Sequence, residues 1–173
     1  LWAMDEVIET DLQLINGLEN LYNSSSLKYF LGKETILKKE VEFLNTVLGM
    51  LPAEWELKDF SEIADLIHGH QFRDSDFTES GIPIVKIGEI GLSEELELGK
   101  CSFIDATRLS EFESKIIRNG DILMALTGYI GRMCLVQNLD QPVLQNYRVG
   151  KFVITDSSLN TSYFYHLLKS PVI

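Results

Sequence analysis

The sequence predicts an α+β fold, a mostly antiparallel sheet with short helices that follows a helical, spacer-like segment. Three observations carry that reading. Apolar runs of strand length at 82–87, 121–126, 133–136 and 149–154 are bounded by glycine, proline and Asn-Gly turn signals. Short stretches with helical spacing lie among them, without the regular strand–helix alternation of a parallel sheet. Residues 4–50 instead carry apolar side chains at helical intervals for most of their length, and that pattern ends at Leu51-Pro52.

In the first stretch, Val7, Ile8, Leu12, Leu14, Ile15, Leu18, Leu21 and Tyr22 form a wide stripe with acids opposite. Ser24-Ser25-Ser26 weakens the pattern and Gly32 reads as a stop. Leu37, Val41, Leu44 and Leu48 follow at spacings of 4, 3 and 4, the seam of a coiled coil, and Gly49 suits the position just past a helix end. Two heptads fit a short coiled coil and helices docked on a neighbouring domain equally well. The domain boundary is expected at 51, separating a helical segment, 1–50, from an α+β domain, 51–173.

Within that domain, Asp59 or Ser61 caps a short helix through Leu66, with Ile63, Leu66 and Ile67 facing inward. A polar loop, 68–77, leads into the strand at 82–87. Asp105 caps a helix bearing Leu109, Phe112 and Ile116, and Asn119-Gly120 turns the chain into the strand at 121–126. The last helix starts near Asn160, carries Phe164, Leu167 and Leu168, and stops at Pro171.

A chain of 173 residues can bury a substantial core, and 45% apolar with 24% charged residues places it among globular proteins. Apolar runs such as 122–126 fall far short of the roughly 20 residues a bilayer span needs. The start lacks the basic and apolar regions of a secretory signal, so a cytoplasmic protein is expected. Cys101 and Cys134 stand alone in apolar contexts and read as reduced, buried thiols rather than a disulfide or zinc pair. The net charge of −11 opposes phosphate binding taken globally. Within 127–155, however, Arg132, Arg148 and Lys151 face only Asp140, which leaves room for a local basic surface.

Catalytic signatures are weak. Asp105 followed by Glu113-Ser114-Lys115 suggests a Mg²⁺ nuclease, but those acids share one helical stretch instead of converging from strand ends. Base methylation would need a polar-Pro-Pro-aromatic tetrapeptide, and the prolines at 52, 83, 142 and 171 are all isolated. His68 and His70 with distant His166 lack acid or thiol partners at metal-ligand spacing. Asp74-Ser75-Asp76 opens like a calcium loop, but its sixth position is Glu79 instead of glycine. No metal and no catalytic residue are expected. Two loops suit recognition instead. The paired glycines of Gly128-Tyr129-Ile130-Gly131 allow close backbone approach to a partner, with Thr127, Tyr129 and Arg132 projecting, although a plain strand–turn–strand connection fits too. Gln145-Asn146-Tyr147-Arg148 offers amides and a guanidinium, the groups that pair bidentately with adenine and guanine edges, or else simply turns into the next strand.

Leu51-Pro-Ala-Glu-Trp-Glu56, Phe60-Ser-Glu-Ile-Ala64, Gly81-Ile-Pro-Ile-Val-Lys-Ile-Gly-Glu-Ile90, Gly120-Asp-Ile-Leu-Met-Ala-Leu-Thr-Gly-Tyr-Ile-Gly131 and Tyr163-Phe-Tyr-His-Leu-Leu-Lys-Ser170 resemble, in order and spacing, a target recognition domain of type I restriction–modification specificity subunits (HsdS). The resemblance covers about 51–173, and residues 1–50 resemble a helical spacer or N-terminal extension of such a subunit. It implies a non-catalytic component that reads half of a bipartite site in double-stranded DNA and directs methyltransferase and restriction subunits to it. S-adenosylmethionine and ATP would then reside on those partner subunits, with no cofactor in this chain. Carried over by position, the DNA-binding residues would be His68, His70, Gln71, Arg73, Lys86, Thr127, Tyr129, Arg132, Gln145, Asn146, Tyr147 and Arg148. Leu37, Val41, Leu44 and Leu48 would bind the methyltransferase partner. The acidic balance and the end at Ile173, short of the family domain's usual continuation, depart from the pattern; the latter suggests a recognition domain incomplete at its C-terminus. The alternatives are a protein-interaction module that no longer reads DNA and the Mg²⁺ nuclease.

Overall fold

The structure, a computed structural model, describes residues 42–47, 49–91, 96–129 and 131–170. The chain divides into two compact units, Lys58–Tyr165, and Leu1–Leu57 with His166–Ile173.

In the latter unit, β1 (Phe43–Thr46) and β2 (Gly49–Pro52) pair antiparallel, with Phe43 opposite Pro52 and Thr46 opposite Gly49. At Leu44 this corrects the helical seam expected through Leu37, Val41, Leu44 and Leu48. Leu44 lies on a strand opposite Leu51 and is 52% exposed, and Gly49 opens β2 rather than closing a helix. Leu37, Val41 and Leu48 lie outside the described residues, as do the helices expected before them. Phe43, Thr46 and Val47 favour extended backbone, and leucines at helical spacing over so short a stretch do not offset the cost of nucleating a helix.

The unit Lys58–Tyr165 begins with the single turn α1 (Phe60–Ile63), whose Glu62 carboxylate accepts from the Asp59 N–H at 2.7 Å. Its strands in chain order are β3 (Ala64–His68), β4 (Phe77–Thr78), β5 (Ile82–Val85), β6 (Ser102–Ile104), β7 (Ile116–Ile117), β8 (Ile122–Ala125), β9 (Met133–Leu135), β10 (Val143–Gln145) and β11 (Val149–Ile154). The helix α2 (Thr161–Leu168) follows. One sheet has the order β3-β11-β8-β9 and is antiparallel throughout. The other runs β4-β6-β5-β10-β7, in which β5 and β10 pair parallel and the other described pairs antiparallel.

Strand periodicity explains how the second sheet is buried on both faces. Val85, Ile117 and Val143 join Leu123, Ala125, Cys134 and Val149 of the four-stranded sheet in one apolar cluster. Their strand neighbours Ile84 and Leu144 point the other way, into a second cluster with Phe72, Ile104 and Phe112. Such burial contributes roughly 1.5–3 kcal/mol per large side chain. On the far face of the four-stranded sheet, Phe152, Phe164 and Phe60 meet with ring centroids 5.7–6.1 Å apart.

Two further expectations change. The helix drawn from Asp59 to Leu66 ends at Ile63, because Ala64–His68 pairs with β11 along its whole length. Leu66 is accordingly 41% exposed instead of facing inward. The helix capped by Asp105 is a 3-10 stretch, Ala106–Lys115, in which Phe112 leaves helical angles (φ −123°, ψ 25°) to reach the core, while Ile116 belongs to β7.

Candidate nucleic-acid interface

Several strand ends arrive at one rim of the unit Lys58–Tyr165. At its centre the chain leaves β10, crosses through residues 146–148 and enters β11, passing from one sheet to the other. The exit of β3 is tied to this crossing twice, His70 N donating to Gln145 O and Tyr147 N to His70 O, both at 2.9 Å. The exit of β5 is held by Asn146 N donating to Val85 O at 3.0 Å. The exit of β8 is held by Leu126 N donating to Arg148 O at 2.9 Å. Thus the three stretches carrying His68–Arg73, Lys86 and Thr127–Arg132 all meet residues 145–148.

Gly69 makes the closest of these approaches possible. A Cβ there would lie 2.0 Å from Gln145 O and 2.5 Å from Asn146 O. Glycine is required by proximity at this position. At the tip of the β8–β9 connection, Gly128 and Gly131 adopt φ of 72° and 85°, a left-handed geometry that glycine enters freely.

The predicted side chains divide into two groups. Gln145 is fully buried, its Nε2 donating to Ile67 O at 2.9 Å and Val149 O at 2.8 Å. Asn146 is 5% exposed, with Oδ1 accepting from Arg148 N at 3.2 Å. Their expected role as base readers is therefore corrected: both amides brace the crossing from inside. Lys151, counted toward a local basic surface, is also buried, its Nζ 3.3 Å from Asp121 Oδ2 and donating to Ile116 O at 3.0 Å.

The rest stay accessible. Arg148 is exposed and donates from Nε to Tyr147 Oη at 2.7 Å, with its guanidinium carbon 5.3 Å from the Tyr147 ring centre. Arg132 lies over the exposed Tyr129 ring at 3.9 Å and donates to Ile90 O at 3.3 Å. Lys86 sits 4.6 Å from the Phe77 ring centre and donates to Ser102 Oγ at 2.7 Å. Thr127, Gln71, Arg73 and His68 are exposed, and His68 Nδ1 donates to Gly69 O at 3.0 Å. His70 is exposed with its ring packed on Phe72 and Phe112, 4.8 and 4.9 Å between centres.

Arg132, Arg148 and Lys86 are thus steadied by aromatic rings, hydroxyls and a carbonyl, and none of them pairs with a carboxylate among the described residues. Arg108 shows the contrasting arrangement. It pairs with Glu111 and with Asp76, each at 3.0 Å, and those acids push its guanidinium pKa up. Asp76 in turn is held below the usual carboxylate range, first by the Arg73 backbone N–H and then by Arg108. Arg108 is structural; the rim cations keep net charge available.

Sequence reasoning missed the support beneath the rim. The Phe72–Phe112 platform under His70, the Ser102 hydroxyl beneath Lys86, and Lys115, whose Nζ donates to His68 O at 2.9 Å, were not identified. Phe72, set among polar residues in the middle of the loop 68–77, was the available signal for the first. Of the nuclease candidates, Asp105 accepts from the hydroxyl and N–H of Thr107, and these bonds hold its pKa low. Among the described residues no three His, Cys, Asp or Glu side chains come together as a metal site would need.

Residues 52–172 match the sequence model of the type I restriction modification DNA specificity domain. The type I restriction enzyme MjaVIII specificity subunit of Methanocaldococcus jannaschii is 26% identical over 132 residues, covering 74% of this chain and 31% of that subunit. The HsdS subunit from Thermoanaerobacter tengcongensis superposes over 95% of this chain and 38% of its own, at 14% identity and a TM-score of 0.55. A chain from a structure addressing complex assembly and conformational transition of the type I R-M system gives the same coverage and TM-score at 15% identity. The chain therefore spans about a third of the length of these relatives.

Proposed function

Because the chain belongs to the family of type I restriction modification DNA specificity domains, we propose that it reads one half of a bipartite site in double-stranded DNA through the rim around residues 145–148. In this reading it performs no chemistry itself and works in the cytoplasm as the specificity component of a restriction–modification complex. Methyltransferase subunits, carrying S-adenosylmethionine, and a restriction subunit, using ATP, would be brought to the site through it. Residues 51–173 would form the recognition domain, and residues 1–50 would serve partner binding.

The observation that supports this most is the convergence of three strand exits on one crossing, with a pre-oriented, uncompensated guanidinium on the crossing at Arg148 and another on the β8–β9 connection at Arg132. Phosphate contacts from such cations position a duplex, and their contacts with base edges supply sequence preference. The rim also answers the acidic composition. Recognition depends on where a few cations sit, and the bulk charge of −11 tunes affinity against salt.

The test is selection from a randomised duplex pool by the specificity subunit assembled with its methyltransferase subunit. A selected sequence is expected, and Arg132→Ala is expected to weaken binding to it by about 1–3 kcal/mol with the fold intact. Tight subunit binding with no salt-dependent DNA affinity would replace this reading with that of a protein-interaction module.

A further inference from the structure

We propose that Arg148 reads a guanine in the major groove and that Tyr147 is the residue that positions it. The inference rests on the DNA-reading function above and assigns that function's base preference to one pair of side chains.

The backbone of Arg148 is fixed on both sides: its N–H donates to Asn146 Oδ1 at 3.2 Å, and its carbonyl accepts from Leu126 N at 2.9 Å. The side chain is fixed as well, since Nε donates to Tyr147 Oη at 2.7 Å and the guanidinium lies 5.3 Å from the phenol ring centre. With Nε engaged, the terminal Nη1 and Nη2 edge remains, a planar pair of donors facing away from the tyrosine. The phenol accepts from Arg148 at Nε, so its own O–H remains a donor on that side of the pair.

A surface made only of donors discriminates among bases. Guanine presents two acceptors, N7 and O6, whereas adenine pairs an acceptor with a donor and cytosine presents a donor. Phosphate also accepts from guanidinium, but it does so over a wide range of directions and gains little from a partner that fixes the plane. A guanine edge requires its two acceptors and the two donors to be coplanar, which is what the Tyr147 bond secures. Arg108 shows how this chain treats a structural arginine, with carboxylates on both sides. Arg148 has a neutral phenol in their place, so its charge stays available to an incoming acceptor.

The experiment selects duplexes from a randomised pool with the assembled subunit and compares wild type with Arg148→Ala, Arg148→Lys and Tyr147→Phe. Salt dependence on the winning duplex and thermal melting are measured for each. Wild type is expected to select guanine at one position, where Arg148→Ala loses that preference by roughly ten- to a hundredfold and Arg148→Lys, which lacks the planar donor fork, loses part of it. Tyr147→Phe is expected to lose part of the preference at the same position only, with an unchanged salt slope. If Arg148→Ala keeps the full preference, or if it weakens all duplexes equally and lowers the salt slope, Arg148 is not a base reader and the proposal fails. If wild type itself selects no sequence, the DNA-reading function fails and takes this assignment with it. Arg148→Lys keeps length and charge, so it decides the question should the alanine variant melt early.

Discussion

Replacing Gly69 with alanine tests whether the rim is one rigid body. The new Cβ would stand 2.0 Å from Gln145 O, whereas ordinary contact begins at 3.4 Å, so the strands must separate by 3.4 − 2.0 = 1.4 Å locally. That movement reaches two hydrogen bonds, His70 N to Gln145 O and Tyr147 N to His70 O, both now at 2.9 Å. Losing them costs about 0.5–1.5 kcal/mol each, and overpacking of this kind adds about 1–3 kcal/mol. A total of about 2–6 kcal/mol corresponds to a melting temperature lowered by roughly 4–24 °C for a chain of this size. Urea or thermal melts give the stability, and titration of the selected duplex gives the second readout. Affinity is expected to fall more than stability alone dictates under conditions where the variant is fully folded, because Arg148 shifts with the crossing. Unchanged melting together with unchanged affinity would refute the claim that backbone proximity at Gly69 assembles the site.

Other outcomes follow from the same geometry. Gln145→Leu removes both Nε2 bonds and is expected to cost about 1–3 kcal/mol of stability while the selected DNA sequence stays the same; a changed sequence would return Gln145 to the reading surface. Asp156 is held well below its ordinary pKa of 3.8 by Lys58 first and then Ser158. Its stabilising contribution is therefore complete above that pH and fades as acid protonates the carboxylate. Asp156→Asn should lie below wild type in melts at about pH 6 and converge with it toward about pH 2; a gap that ignores pH would contradict the ion pair. Cys101 is 8% exposed and its thiol is pushed up to about 11, chiefly by burial and then by Glu89. Alkylation at about pH 8 is expected only after denaturant opens the fold, since little thiolate exists before then.

The longer elements were legible because their patterns exceed a turn of noise. Val149–Ile154 emerges as a strand with the expected bounds, Ile122–Ala125 lies within its predicted run, and α2 occupies the apolar stretch before Pro171. The strands β4, β6, β7 and β10 span two or three residues each, too few for alternation to register, and are fixed by their neighbours in the sheet. The error at Phe43–Thr46 has a related cause: spacing suited to a helix also suits a hairpin when a β-branched residue closes the first strand and glycine opens the second. At the site, residue type located the loops but could not tell inside from outside. Gln145 and Arg148 are three positions apart and equally polar, yet only the register of β10 decides that the amide turns inward. The aromatic partners of Arg132 and Arg148 stand three and one positions before them in the sequence, so those side chains were the most readable part of the rim.

The passage between the two sheets has a consequence for how such a domain changes its preferred sequence. From Gln145 to Val149, backbone groups of every residue bond to other parts of the fold or to one another, including Val149 N to Asn146 O at 2.9 Å. The main chain there is a fixed mount on which side chains 147 and 148 are interchangeable heads. If the rim reads DNA as proposed, new specificities would arise by exchanging those two residues and their counterparts at 129 and 132, with the scaffold left as it stands.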